Sequence, residues 1–252
     1  MALFESGNPT LSEKMFDKVG HAQANEAGTM SVRGTMNKFG LMLIGVIAGA
    51  GYTWHLIDQN NPSLAQTLMI VGVIGGLITA LAITFKPNWA PALAPAYAIL
   101  EGLFLGAISK MFNDAFYPGI VVQAVGLTFG VAVAMFLLYN FRIIKPTEKF
   151  RSMIMSAMLG IAIFYLLTWV LGLFNVDVSF VRDNSMLSIG ISLFIVAIAA
   201  LNLILDFDMI EQGAQRGAPQ FMEWYAAFGL MVTIVWLYLE ILRLLSKLSS
   251  RD

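Results

Sequence analysis

The sequence predicts an all-α integral membrane protein, a bundle of seven transmembrane helices with the last helix at its centre. Three observations carry this. Of 252 residues, 58% are hydrophobic and only 12% charged, against roughly 25% in a soluble domain. A soluble core of this size cannot hide so much apolar surface, so the surplus faces lipid. Seven apolar stretches follow one another, each near the roughly 20 helical residues that cross a hydrocarbon core of about 30 Å. The last stretch carries a small and polar stripe, Ala226, Gly229, Thr233, Trp236 and Glu240, between bulky faces. Such a stripe marks a helix surrounded by others.

The stretches run at about 38–57, 65–85, 89–112, 117–140, 152–174, 185–208 and 222–247. Polar or helix-breaking runs divide them: Asp58-Gln59-Asn60-Asn61-Pro62, Lys86-Pro87-Asn88, Asn113-Asp114, Arg142 to Arg151, Asn175 to Asn184 and Glu211 to Pro219. No linker is long enough to separate one domain from another, so residues 38–252 form one membrane domain behind a polar tail, 1–37. In that tail Thr10-Leu11-Ser12-Glu13 fits a capping box. Leu11, Met15, Phe16 and Val19 then share one face of a short amphipathic helix, with a frayed tail as the alternative. Polar residues ahead of the first apolar stretch are the wrong order for a cleavable signal. Glycine pairs at spacing four, Gly45/Gly49, Gly72/Gly76, Gly102/Gly106 and Gly126/Gly130, suit close helix packing. Pro87 and Pro91 suit the start of the third stretch, and Pro95 removes a hydrogen bond just before Glu101.

Lys and Arg placement favours a cytoplasmic N-terminus. That side collects Lys14, Lys18, Arg33, Lys38, Lys86, Arg142, Lys145, Lys149, Arg151 and Arg216. The other collects Lys110, Arg182 and a tail group, Arg243, Lys247 and Arg251, which opposes the bias. A seventh segment that re-enters and returns would remove the conflict.

The chain has no cysteine, and its two histidines, His21 and His55, lack ligand-like spacing. Disulfides, thiol catalysis and a His/Cys metal site are therefore not expected. A net charge of −1 gives no means of holding a nucleic acid. The expected surroundings are the lipid bilayer, and no cofactor is expected.

The informative residues are acids within apolar stretches. A carboxylate in hydrocarbon costs about 2.5–3.5 kcal/mol even on lenient scales, and by default marks a path for water, protons or cations. On the sixth stretch Ser188, Ser192, Ala199, Asn202 and Asp206 share a stripe, while Asp208 points away and reads as a solvated end residue. On the seventh, Glu240 shares the stripe with Thr233, and Glu223 lies near the start as an interfacial residue. Arg243, one turn on, is a possible charge partner of Glu240. Ala94, Tyr97 and Glu101 share a face of the third stretch.

The run Leu205-Asp206-Phe207-Asp208-Met209-Ile210, with Leu237-Tyr238-Leu239-Glu240-Ile241-Leu242-Arg243-Leu244-Leu245, resembles the C-terminal signature of the Bax inhibitor family, the transmembrane Bax inhibitor motif proteins. Glu101-Gly102-Leu103-Phe104-Leu105-Gly106 with Ser109 resembles the family's third-helix motif. The order of the motifs and the seven-stretch layout are similar to the bacterial branch that has an extended polar N-terminus. The resemblance implies a seven-helix fold with its last helix wrapped by the other six, a bacterial inner-membrane location and a pH-sensitive calcium leak. It also implies that an acid on the sixth helix and one on the seventh share a proton, roles that fall here to Asp206 and Glu240. Glu stands at 240 where Asp is more usual. The second stretch holds no Arg of the kind that latches the pair in some relatives, leaving Lys86 as the nearby cation. The connection between the two acids is long, and some of it reads as an insertion within the family.

Two carboxylates in a low-dielectric site do not readily both ionise. The resulting expectation is a gate at Asp206 and Glu240 that opens on loss of the shared proton and holds calcium transiently through oxygen ligands. Glu101, Asn202 and Thr233 would lie along the path. The rival expectation is a regulatory protein whose bundle binds another membrane protein, a protease or stress-response partner, without ion flux. No enzyme is expected, because neither HExxH nor GxSxG occurs. A proton-coupled transporter is disfavoured by the lack of an inverted repeat.

Overall fold

A computed structural model describes residues 28–174, 183 and 185–250. The amphipathic segment expected at 10–19 lies outside these, as do Arg182 and Arg251. Among the described residues seven helices are long and apolar enough to cross a membrane. They are α1 (Val32–Asp58), α2 (Pro62–Phe85), α3 (Ala90–Ala115, entered through a 3-10 turn at Pro87–Trp89), α4 (Ile120–Asn140), α5 (Glu148–Leu173), α6 (Met186–Gln215) and α7 (Met222–Ser249). The seven-helix, all-α expectation holds.

Local chemistry sets the ends. Ser31 caps α1, its side chain accepting from the Gly34 amide at 2.9 Å. Thr147 caps α5 in the same way, with Glu148 in the first turn, where the helix dipole favours an acid. Pro62 opens α2, at a position where no N–H is needed. Gly119, at φ +100°, supplies the left-handed residue that starts α4. Pro95 lies inside α3 without ending it.

Two helices outrun the apolar stretches by more than a turn and a half. α1 begins at Val32, with a polar first turn. α6 continues to Gln215, so the linker expected from Glu211 to Pro219 is helical over its first half. α7 is one unbroken helix of 28 residues, about 42 Å long at 1.5 Å per residue. A re-entrant seventh segment is not what forms. α7 is also the most buried of the seven.

The chain forms two compact units. One holds α1–α3 with Asp206–Val232; the other holds Phe116–Leu205 and the chain from Thr233 on. In the first, α3 packs on α1 and α2 through bare backbone. A methyl group at Gly49 would come within 2.6 Å of the Ile99 carbonyl oxygen, and one at Gly72 within 2.5 Å of that of Leu100. Tyr97 of α3 meets Phe228 of α7 edge to face at 4.9 Å. In the second unit, Ile154 and Ile161 of α5 bury against Ile195, Ile198 and Leu205 of α6, with Tyr165 and Trp236 packed on the cluster. Exposed Ile44, Leu77, Val122 and Trp169 give the helices the apolar surface expected of segments that contact a bilayer.

Candidate functional site

The second unit places a polar seam along the C-terminal half of α7. Thr233, Glu240 and Lys247 recur every seventh residue, which keeps them on one face, since seven residues turn a helix about 20° short of two full turns. Each has a partner on a neighbouring helix. Asn202 of α6 donates from Nδ2 to Thr233 Oγ1 at 3.2 Å. Lys247 donates to the hydroxyls of Ser188 and Ser192 at 2.7 and 2.8 Å. These attachments lie fourteen residues apart on both helices, 188 to 202 and 233 to 247, so α6 and α7 run antiparallel in constant register.

Glu240 lies midway. It is buried, at 2% exposure, and its carboxylate is gripped twice. Tyr165 of α5 donates its hydroxyl to Oε1 at 2.8 Å. Arg243 donates from Nη1 to Oε1 and Oε2 at 2.9 and 3.0 Å and to the Tyr165 hydroxyl at 2.5 Å. Its guanidinium also lies 5.3 Å from the Tyr165 ring centroid. Arg243 is itself only partly covered, with 41% of its side chain exposed. The expected charge partner is therefore present, and Tyr165 completes a triad that the sequence does not reveal.

The first unit holds Asp206, Asp208, Glu101 and Glu223. Asp206 is fully buried, at 0% exposure. Asp208, expected to be a solvated end residue, is buried instead. α6 runs seven residues past it, and its Oδ2 accepts from Gln212 Nε2 at 2.7 Å. Glu101 is half-buried and hydrogen-bonds Tyr97, one turn earlier on α3. A methyl at Gly76 would approach Glu101 Oε2 to 3.2 Å, so the acid looks onto a bare patch of α2. Lys86 lies with its ammonium 4.3 Å from the Trp89 ring centroid.

Glu223, expected at the interface, is buried at 3% exposure. Its Oε1 accepts from the Ser31 amide at 2.8 Å and the Ser31 hydroxyl at 2.9 Å, and its Oε2 pairs with the Lys38 ammonium. Nothing in the local sequence announces this, because the partners are 185 and 192 residues away. Among the described residues no group of three or more His, Cys, Asp or Glu is placed to hold a metal. The fixed chemistry is thus that of buried, hydrogen-bonded single charges on helix faces. The family model described as Bax inhibitor 1 like matches residues 8–250. A search of curated proteins found no match.

Proposed function

The chain belongs to the Bax inhibitor 1 like family, and on that premise we propose that it is a slow, proton-regulated leak for calcium or a similar cation. Asp206 and Glu240 are its gate, and Glu101, Asn202 and Thr233 are groups along the path. Calcium is the passing cargo, held only transiently at Asp206 and Glu240. The proposed setting is a bacterial inner membrane with the N-terminus in the cytoplasm.

The observation that supports this reading is burial of acids inside apolar helices, Asp206 at 0% and Glu240 at 2% exposure. Such residues are expensive in a membrane, and function is the default reason to keep them. In this reading the triad is the resting state of the gate. Glu240 is neutralised by Arg243 on its own helix and steadied by Tyr165. In the proposed gate it leaves Arg243 before it shares a proton with Asp206. Arg243 thereby takes the latch role for which the second stretch offers no arginine.

Purified protein in liposomes loaded with a calcium indicator, followed from mildly acidic to mildly alkaline pH, tests the reading. Calcium should enter with a pH-dependent rate that Asp206→Asn flattens. Unchanged pH-dependent flux in that variant would refute the gate.

The Arg243–Glu240 pair also favours a second reading. If the pair only neutralises two charges, the bundle serves to bind and regulate another membrane protein. A co-purifying membrane protease or stress-response protein, together with calcium-tight liposomes, would support that alternative.

A further inference from the structure

We propose that Glu223, Ser31 and Lys38 form a lock that fixes the first turn of α7 to the start of α1, and that its release is the conformational step that raises cation passage. The second clause rests on the reading above; the lock itself stands on the geometry of the first unit.

Glu223 is the second residue of α7, where the free N–H groups of the helix start favour a carboxylate. Its grip comes from the N-cap of α1 and from the second turn of that helix. Ser31 gives two hydrogen bonds and Lys38 an ion pair. Lys38 also lies 5.6 Å from the Trp224 ring centroid. Gly34 packs so closely that a Cβ there would collide with the Glu223 carboxylate.

A backbone clasp closes the same junction. The Met30 amide donates to the Ala218 carbonyl at 2.7 Å, and the Gln220 amide to the Gly28 carbonyl at 3.1 Å. Thr29 and Pro219 therefore face each other as an antiparallel pair that exchanges no hydrogen bonds. Proline fits there because no N–H is called for. The sharp turn ahead of it is made by Gly217, at φ +66°.

The asymmetry of the contact makes it a lock. The acceptor, Glu223, is buried, whereas Ser31 is exposed and the Lys38 side chain is 20% exposed. Water can take the donors but cannot easily reach the carboxylate, which then has to be extracted or left uncompensated. Such a contact has two discrete states rather than a graded series.

The cysteine-free sequence allows a clean test. Thr29→Cys and Pro219→Cys together introduce a facing pair at a separation that suits a disulfide. In calcium-loaded liposomes Glu223→Gln and Lys38→Met should each raise basal flux, by roughly tenfold for one lost charge-assisted contact. The oxidised cysteine pair should suppress flux, and reduction should restore it. If the unmodified protein leaks calcium while both substitutions leave the rate unchanged, the lock is overturned and the leak survives. If the unmodified protein passes no calcium, the leak reading fails, and disulfide formation then decides the lock. Glu223→Gln or Lys38→Met should slow closure of the cysteine pair by roughly tenfold if the lock holds the junction. An unchanged rate overturns it. Lys38→Met, which alters only the partly exposed partner, covers the case in which Glu223→Gln does not fold.

Discussion

At Glu240, a carboxylate, a guanidinium and a phenol share one small volume, and each depends on the others. Arg243→Met would strip the buried carboxylate of its cation and leave the Tyr165 hydroxyl as the remaining donor of the triad. Breaking a buried pair from one side costs about 3–5 kcal/mol. Because Arg243 is 41% exposed, a loss of roughly 1–3 kcal/mol is expected once solvent screening is allowed for. Tyr165→Phe removes one donor and one acceptor but keeps the ring in the Ile154–Ile195 cluster, and should cost about 1–2 kcal/mol. Thermal unfolding in detergent should rank the two, with Arg243→Met the lower-melting. A Tyr165→Phe protein that melts with the unsubstituted one would mean the phenol does not hold Glu240. Asp206 and Glu240 are visible in the sequence because an acid in an apolar run has few bland explanations. Tyr165 is invisible because a tyrosine in such a run has many, and its partner is 75 residues away.

Among the helices, the four glycine pairs look alike in sequence but are not equivalent in place. Gly49 and Gly72 press on the backbone of α3, while Gly126 and Gly130 of α4 have nothing within 4 Å of a built methyl group. Gly49→Ala and Gly72→Ala should therefore destabilise by more than about 1 kcal/mol, because two helix backbones have to move apart. Gly126→Ala should be neutral or stabilise by up to roughly 1 kcal/mol, the ordinary gain of alanine over glycine in a helix. Melting of the purified variants checks the contrast, and equal losses at Gly49 and Gly126 would contradict it. Spacing alone cannot separate these cases, since it reports a small face and not what meets it. The same limit explains α6. Polar residues from Glu211 on suggest a linker, but Glu, Gln and Ala are good helix formers, and the helix simply continues to Gln215. Asp208 is buried as a result.

At the scale of the whole molecule, an odd number of spans, as the seven described helices provide, sets the start of α1 and the end of α7 on opposite faces when all seven cross. The charge rule points to an inside N-terminus except for the tail cations. Two of these do not behave as free loop charges, since Arg243 is paired with Glu240 and Lys247 is buried on two serines. Reporter fusions at the two termini should give opposite accessibility, with the C-terminal one outside. Equal accessibility would mean that one of the seven helices does not cross. Fold class and helix number are legible in the sequence because lipid imposes them on every residue of a stretch. The lock at Glu223 is not, because it is set by tertiary meeting of distant segments. The seam on α7 has a mechanical corollary. With Thr233, Glu240 and Lys247 nearly collinear along a stiff rod, a twist of that rod by a few tens of degrees detaches all three rungs together. Rungs that give way together are not independent, so damage to a second should add less than damage to the first.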